Sequence, residues 1–352
     1  MDFRMFLPDS QGISQPAGPG SPTGEYTCQI EEKTAMSKGD GKTGSTMTRR
    51  YGLMTLCSVA SVASVLAPAA KAQLWTWTKD QLVEYTKAWT GDRFPDGRPK
   101  VPDQWLERAK DMSQEEIMIP GGGRGGGYSQ YEGDWRVLHP EMKMTGRAVT
   151  LAFMPARADL DQVVMAKAKE KGVQTLNNQY GIDMLQPGDV LVVDLYGKKE
   201  GGTIVGDNLF YYIMKATKSG GLVVDGSFRD LDGISGMPMP CYYRSVHPSA
   251  IGGVTLSAIN VPIRIGNVTV MPGDLVVGDR EGVSFIPAQN VEAILDRADE
   301  THIHDEWTRK KFDEGKYKSS EIYGSPRDPA LKQEYQEYLK RRLEEIKASR
   351  KK

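Results

Sequence analysis

The sequence predicts an α/β domain, and three observations carry that expectation. Between about Val137 and Gly315, strand signals alternate with amphipathic helical stretches. The runs Val190-Leu191-Val192-Val193, Leu222-Val223-Val224 and Leu275-Val276-Val277 are apolar throughout, as buried strands are. Gly, Pro and Asp cluster beside them, where the chain must turn.

In chain order, Gly146 to Phe153 and Val190 to Leu195 read as strands, with a helix from Asp159 to Lys171 between them. A second helix opens after Gly206 and stops at Gly220-Gly221, with Leu209, Tyr212, Ile213 and Ala216 as its apolar stripe. The strand Leu222 to Val224 follows at once. Two turns are near copies, Gln186-Pro187-Gly188-Asp189 and Met271-Pro272-Gly273-Asp274, each leading into an apolar strand. Pro at the second position and Gly at the third suit a type II turn, and two matching hairpin entries are expected. After Pro287 the chain is helical again, with Val291, Ile294, Leu295 and Ala298 at helical spacing, and the helix runs past Trp307. Within residues 316–352, Ser325 to Pro329 breaks it from a last charged helix, whose Leu331, Tyr335, Leu339, Leu343 and Ile346 share one side. That tail reads as a surface or subunit-packing helix.

The beginning of the chain reads differently. Residues 1–46 are rich in Gly, Pro, Ser and charge with no apolar period, so they read as a leader without a core, or as the result of a start upstream of a true one at Met47. Residues 47–72 read as a cleaved signal peptide. Arg49-Arg50 precede the apolar run Tyr51 to Leu66, and Ala70-Lys71-Ala72 supplies the small-residue cleavage site, near Ala72/Gln73. The run is shorter than the roughly 20 residues that span a bilayer, so the expectation is export to the periplasm or exterior without a permanent membrane anchor. Thr48-Arg49-Arg50 partly matches a twin-arginine signal, from which Gly52 and Met54 depart. Cys28 and Cys57 lie in these segments, which leaves Cys241, read as a packed, inert thiol. Residues 73–136 read as a helical extension, with helices near Lys79 to Trp89 and Asp103 to Met112 around a Phe94-Pro95-Asp96-Gly97 turn. The run Gly121-Gly122-Gly123-Arg124-Gly125-Gly126-Gly127 has no following Lys-Ser/Thr and no preceding strand, so it reads as a loop and not a phosphate cradle. The formal net charge of -1, from 45 basic and 46 acidic residues, gives no general attraction to phosphate backbones, and no nucleic-acid partner is expected.

Chemistry concentrates in three separated motifs. These are Gly206-Asp207-Asn208-Leu209, the run from Gly221 that ends in Arg229-Asp230, and Val270 to Val283 with its Gly273-Asp274 and Gly278-Asp279 pairs. A helix start presents free N–H groups and the positive end of the helix dipole, which suit a small carboxylate. An ordinary Asp or Asn cap is spelled the same way. Arg229 and Asp230 follow a buried strand, where a loop can aim side chains into a cleft, although an adjacent Arg-Asp also makes a plain surface pair. Asp230, a hard oxygen donor with no Cys or His cluster nearby, points to Mg2+ or Mn2+ and not zinc. His302 and His304 stand two apart on the predicted helix and face different sides, which does not suit a shared metal.

These motifs, in this order from about Gly146 to Gly315, resemble the 4-hydroxy-4-methyl-2-oxoglutarate aldolase and regulator of ribonuclease activity A family. The resemblance implies an RraA-like α/β/β layered, swivelling-type domain over residues 137–315, with helical extensions on either side. It implies a homotrimer or hexamer with sites between subunits. Asp230 would be the metal ligand, and Arg229 would bind substrate and stabilise an enolate. The backbone of Gly206, Asp207, Asn208 and Leu209 would hold a carboxylate, with Asp207 orienting a water. A Glu from a neighbouring subunit completes the family's site. Glu306 matches it best, or Asp305 if the register slips by one, and Glu306 has no evident partner within its own helix. The implied reaction is divalent-metal-dependent cleavage of a 4-hydroxy-2-oxo acid to release pyruvate, and the same enolate chemistry would support oxaloacetate decarboxylation. Two other readings stay open: a non-catalytic regulator acting by contact, and a related lyase on a sugar-derived 2-oxo acid.

Overall fold

The computed structural model describes residues 76–117, 130–170, 172–173 and 177–350; the leader, the signal-like segment, Cys28, Cys57 and the Gly121 to Gly127 run lie outside them. Helices α1 (Lys79–Tyr85), α2 (Asp103–Lys110) and α3 (Gln114–Ile117) precede strands β1 (Gln130–Glu132), β2 (Arg136–Leu138) and β3 (Met144–Pro155). Next come α4 (Ala158–Glu170), α5 (Asn178–Ile182), β4 (Asp189–Thr203), α6 (Asp207–Thr217), β5 (Gly221–Phe228), α7 (Leu231–Ile234) and β6 (Cys241–Val246). Strands β7 (Val254–Ile259), β8 (Ile263–Ile265), β9 (Val268–Val270), β10 (Leu275–Gly278) and β11 (Val283–Ile286) lead into α8 (Val291–Asp313), α9 (Ser319–Ile322) and α10 (Pro329–Ser349). The expected α/β class and the helical C-terminal extension are both present. Residues 130–132, expected inside the helical extension, are instead a strand of the main sheet.

Strand order is β1-β11-β10-β3-β4-β5-β6-β2, with β7 also paired to β3. β3, β4, β5 and β6 run parallel, as strands joined through helices must. β1 and β2 stand at opposite ends of this order, yet only residues 133–135 separate them, a reach of about 15 Å at most. The sheet therefore curls until its ends meet. Arg244 of β6 holds that junction, donating to the Gly133 carbonyl at 2.6 Å and reaching Glu132 at 2.5 Å and Asp225 at 3.1 Å. Its guanidinium also lies 3.7 Å from the centre of the Trp135 ring.

Curling gives the strands an inner and an outer face, and their side chains alternate between them. Val190, Val192, Val223 and Tyr242 point inward with Val276 and Phe285, and the β8–β9 ribbon plugs the space with Ile263, Ile265 and Val270. Leu191, Val193, Leu222 and Val224 point outward to Val164 of α4 and to Phe210 and Ile213 of α6. On a third surface, Leu106 and Ala109 of α2 and Ile294, Leu295 and Ala298 of α8 cover β10 and β11. The stripe expected on α6 is corrected at one position: Tyr212 is 46% exposed, and Phe210, Ile213 and Thr217 are the buried residues. The tail helix α10 packs its predicted side on α8, where Leu331 and Tyr338 bury against Ile303 and Trp307. Among the described residues no helix is long and apolar enough to cross a membrane.

The two Pro-Gly-Asp turns have the expected type II form. Gly188 and Gly273 take φ of +82° and +88°, which only Gly adopts without strain, and the Asp189 and Asp274 N–H groups close each turn at 3.0 and 3.1 Å. The hairpin expectation is corrected, because β4 enters parallel to β3 and β10 pairs with β3 and β11 but not with the preceding β9. Turn chemistry fixes the local bend and leaves open which strand is met next. Both Asp carboxylates also accept the first N–H of their turn, at 2.9 Å from Gln186 and 2.8 Å from Met271. Their charges are handled differently. Asp189 is fully buried against the equally buried Arg98, 2.9 Å away, whereas Asp274 has no cation, and burial pushes its carboxyl up to about 7.

A pH dependence follows from Asp274. Its folded value lies above the unfolded one, about 3.9, so the unfolded chain gives up this proton first as pH rises. Stability from this group is therefore lost between about pH 4 and pH 7, on the order of a few kcal/mol. Asp274→Asn keeps an acceptor for the Met271 N–H and removes the charge. Urea midpoints at pH 5 and pH 8 should show wild type losing more stability than the variant on going to pH 8; parallel losses would contradict the assignment.

Candidate functional site

The β4 and β5 strands run side by side and each hands over to a helix at the same end of the sheet. Thr203 stands opposite Ser227, so Gly206, three residues beyond Thr203, meets Arg229 and Asp230, two and three beyond Ser227. The contact is close. A Cβ on Gly206 would lie 2.6 Å from Asp230 Oδ2 and 2.9 Å from Arg229 Nη2, so no other residue fits without displacing one of them.

Gly206 is the N-cap of α6 and supplies no side-chain cap. Asp207 is the first helical residue, and its carboxylate takes the Asn208 N–H at 2.7 Å. Asp207 is thus not the N-cap itself, yet its carboxylate still takes one of the helix's first N–H groups, as a local capping role requires. The Asp207 N–H points at Asp230 Oδ2, 3.4 Å away, so the positive end of α6 faces the Asp230 carboxylate. The first N–H groups of a helix have no intrahelical backbone partner and suit a small anion, and here two of them already face carboxylates of the chain, the Asp207 N–H loosely and the Asn208 N–H closely. From the other side α7 closes in, with Gly233 against Asp207.

Arg229 and Asp230 are partly exposed, at 31% and 42%, and their closest approach, Nε to Oδ2, is a loose 3.4 Å. Arg229 Nε is buried and has no hydrogen-bond partner. Asp230 also sits in the left-handed region, φ 56° and ψ 35°, which aspartate enters more readily than most residues with a side chain. Among the described residues no group of three or more His, Cys, Asp or Glu side chains is arranged to hold a metal by itself. A hard divalent cation held through one protein carboxylate keeps several waters and shares substrate oxygens, and an accessible, loosely engaged Asp230 fits that use.

The structure brings Gly206, Asp207, Arg229 and Asp230 together, with Asn208 and Leu209 in the first turn above them. Glu306 is placed elsewhere. It accepts from Tyr338 Oη at 2.6 Å and from Arg342 at 3.1 Å, and Lys310, one turn along its own helix, lies 3.6 Å away. The expectation that Glu306 lacks a partner in its own helix is corrected. Burial raises its carboxyl, but the hydrogen bonds from Tyr338 and Arg342 outweigh it and hold the group below its ordinary value. Asp305 has only looser contacts, to His304 at 3.6 Å and Arg309 at 4.0 Å. His302 meets Glu116 and His304 the Gly324 carbonyl, on different sides as the spacing requires. Cys241 is fully buried, and burial pushes its thiol well up, which suits an inert packing role.

With this geometry in place, comparison with known proteins identifies its setting. The profile described as RraA-like, Aldolase/RraA, matches residues 121–284. The match places Gly206, Arg229 and Asp230 within a region similar to RraA-like proteins. A Halalkalibacterium halodurans protein, provisionally named a 4-hydroxy-4-methyl-2-oxoglutarate aldolase, is 37% identical over 120 residues, 34% of this chain and 56% of its own length. An Ectopseudomonas mendocina protein of the same provisional name is 33% identical over 108 residues, 30% of this chain and 64% of its own. The chain thus spans about half to two-thirds of the length of these relatives. Among solved structures, a Streptomyces coelicolor protein described as an unusual member of the RNase ES inhibitor RraA protein family gives a TM-score of 0.49 at 27% identity, covering 60% of this chain and 98% of that one.

Two glycines test the close approach. Gly206→Ala puts a methyl group 2.6 Å from Asp230 Oδ2, and the ends of two partly exposed side chains can swing aside for it, so stability should change by less than about 0.5 kcal/mol while the Arg229–Asp230 arrangement is displaced. Gly233→Ala has 3.5 Å of room beside Asp207 and should be neutral or mildly stabilising. Calorimetric titration with magnesium separates the two: Gly206→Ala should weaken binding and Gly233→Ala should not, and equal binding would mean that α6 does not approach Asp230 as described.

Proposed function

We propose that the chain is a divalent-metal-dependent carbon–carbon lyase that cleaves a 4-hydroxy-2-oxo acid and releases pyruvate. The observation that carries this reading is the meeting of a helix N-terminus with Arg229 and Asp230 at one end of the sheet, with Gly206 leaving no side chain between them. The provisional names of the relatives support the same chemistry.

In this reading the first turn of α6, from Gly206 to Leu209, holds the substrate's 1-carboxylate with its N–H groups. Asp230 is the residue that would hold the cation, which when bound supplies Lewis-acid polarisation of the 2-oxo group. Asp207 orients a water that takes the proton of the C4 hydroxyl. The C3–C4 bond breaks, a carbonyl forms at C4, and the electron pair passes through C3 to the 2-oxo oxygen. Arg229, whose side chain is 31% exposed, stabilises the charge on that oxygen. A proton returned to C3 completes pyruvate. Oxaloacetate decarboxylation would use the same groups.

We further propose a homo-oligomer, trimeric or hexameric, in which Glu306 of an adjoining copy reaches this site already ionised, and export by the signal-like segment 47–72. Held as a carboxylate by Tyr338 and Arg342, Glu306 suits a base better than an acid.

Pyruvate release from 4-hydroxy-4-methyl-2-oxoglutarate tests the lyase. It should vanish with a chelator and return with magnesium or manganese. Asp230→Asn keeps shape and loses charge, and should abolish metal-dependent release with the fold intact by circular dichroism. Arg229→Lys keeps charge but loses the planar fork, and should cut turnover by roughly 100-fold, the scale of one lost transition-state donor, while cation binding persists. Wild-type activity in Asp230→Asn would remove both the metal assignment and the lyase reading.

A further inference from the structure

Lys198, His247 and Ser249 come together beside the Arg229 end of the sheet, and the reading above uses none of them. β5 and β6 run parallel with Ser227 opposite Ser245 and Phe228 opposite Val246. The His247 N–H continues the ladder onto the Phe228 carbonyl at 3.0 Å. His247 thus follows the end of β6 as Arg229 follows the end of β5. The imidazole is held in one orientation, with Nδ1 2.8 Å from Ser249 Oγ and 3.2 Å from the Ser249 N–H. Ser249 Oγ itself accepts the Gly201 N–H at 2.7 Å, so its hydroxyl hydrogen is directed to Nδ1. Nδ1 is then an acceptor twice over, and the ring of neutral His247 carries its hydrogen on Nε2, as a donor.

Gly201 also positions the third group. Lys198 Cε passes 3.1 Å from where a Gly201 side chain would begin, and Lys198 Nζ lies 4.0 Å from the corresponding point at Gly253. Both glycines are left-handed, at φ 70° and 64°, and the loops that carry them are tied by the Gly252 N–H on the Gly201 carbonyl at 3.0 Å. The chain's other half-buried lysines find carboxylates, as Lys143 does with Asp279 and Lys110 with Glu107. Among the described residues the Lys198 ammonium has no ion-pair or hydrogen-bond partner of its own. An unpaired ammonium and an oriented ring N–H, carried by adjoining loops, match the needs of a carboxylate.

We propose that Lys198 and His247, the latter oriented by Ser249, bind the far carboxylate of a dicarboxylic 2-oxo acid whose 2-oxo end lies at Gly206 and Arg229. The placement of that near end rests on the lyase reading. Selectivity for a dicarboxylic substrate then comes from groups outside the reacting centre.

The test uses the full chain with magnesium and two matched ligands, 2-oxoglutarate and 2-oxobutanoate, measured by calorimetry. Wild type should bind 2-oxoglutarate at least roughly tenfold more tightly, the scale of one charge-assisted contact. Lys198→Ala and His247→Gln should each erase most of that preference. Ser249→Ala should weaken it, and Ser249→Thr, which keeps the hydroxyl, should restore it. A purely structural role would weaken both ligands together and leave their ratio unchanged, which would overturn the proposal, as would a wild type with no preference. Pyruvate release from 4-hydroxy-4-methyl-2-oxoglutarate and from 4-hydroxy-2-oxopentanoate separates the two readings. A preference in binding that the variants erase, with no pyruvate from either substrate, would uphold the carboxylate site and end the lyase reading. Cleavage of both substrates, with the preference intact in the variants, would do the reverse.

Discussion

The candidate site depends on one close approach, the bare backbone of Gly206 against the carboxylate of Asp230. Two parallel strands, each followed by a helix, place the start of both helices at the same end of the sheet, where ligands of open α/β folds gather. Parallel pairing alone leaves the second handover free to point anywhere. Gly206 narrows it, because α6 can begin where it does only if nothing projects from its N-cap. The helix dipole, the carboxylate and the guanidinium are then held together by three elements, α6, β5 and α7, and not by any one loop.

Elsewhere the scaffold handles its buried charges in contrasting ways, and the contrast shows what each is for. The two Pro-Gly-Asp turns have the same backbone and the same side-chain closure, yet one Asp has a buried arginine and the other does not. Arg98 comes from the segment before the main domain, so its pairing with Asp189 fastens that segment to the start of β4. A buried pair of this kind adds little net stability, but removing one partner strands the other and costs several kcal/mol, about 3–5. It therefore fixes where the N-terminal segment docks. Arg244 does related work at the sheet junction, where five groups from two parts of the chain meet its guanidinium. Without that junction β1 and β2 would be two loose sheet edges.

Much of this was legible in the sequence, and the parts that were not share a cause. Strand runs, helix starts and type II turns are set by neighbours a few residues apart, and those readings held for β3, β4, β5, α4, α6 and α8. The Gly206 and Arg229-Asp230 motifs were also readable, since a helix start and a strand end are local events. Pairing is not local. The same turn opens a parallel strand at Asp189 and an antiparallel one at Leu275, so the hairpin expectation failed. The curl of the sheet depends on which strands meet β1 and β2, which no short window contains. Tyr212 was assigned to the buried stripe because it has the right spacing, but Phe210 lies where α6 meets Phe228. The contacts of Glu306 with the tail are unreadable for the same reason, as Tyr338 and Arg342 reach it from a helix more than thirty residues on.

Asp230 gives the last step. Its backbone is left-handed, a region that aspartate enters more readily than most residues with a side chain because its short polar group can hydrogen-bond locally. Its carboxylate makes only loose contacts, at 3.4 Å to Arg229 and 3.4 Å to the Asp207 N–H, and 42% of the side chain remains exposed. Neither contact is worth much at such exposure. The scaffold therefore gains little from this charge, which stands half engaged at the start of α7 and faces the N-terminus of α6.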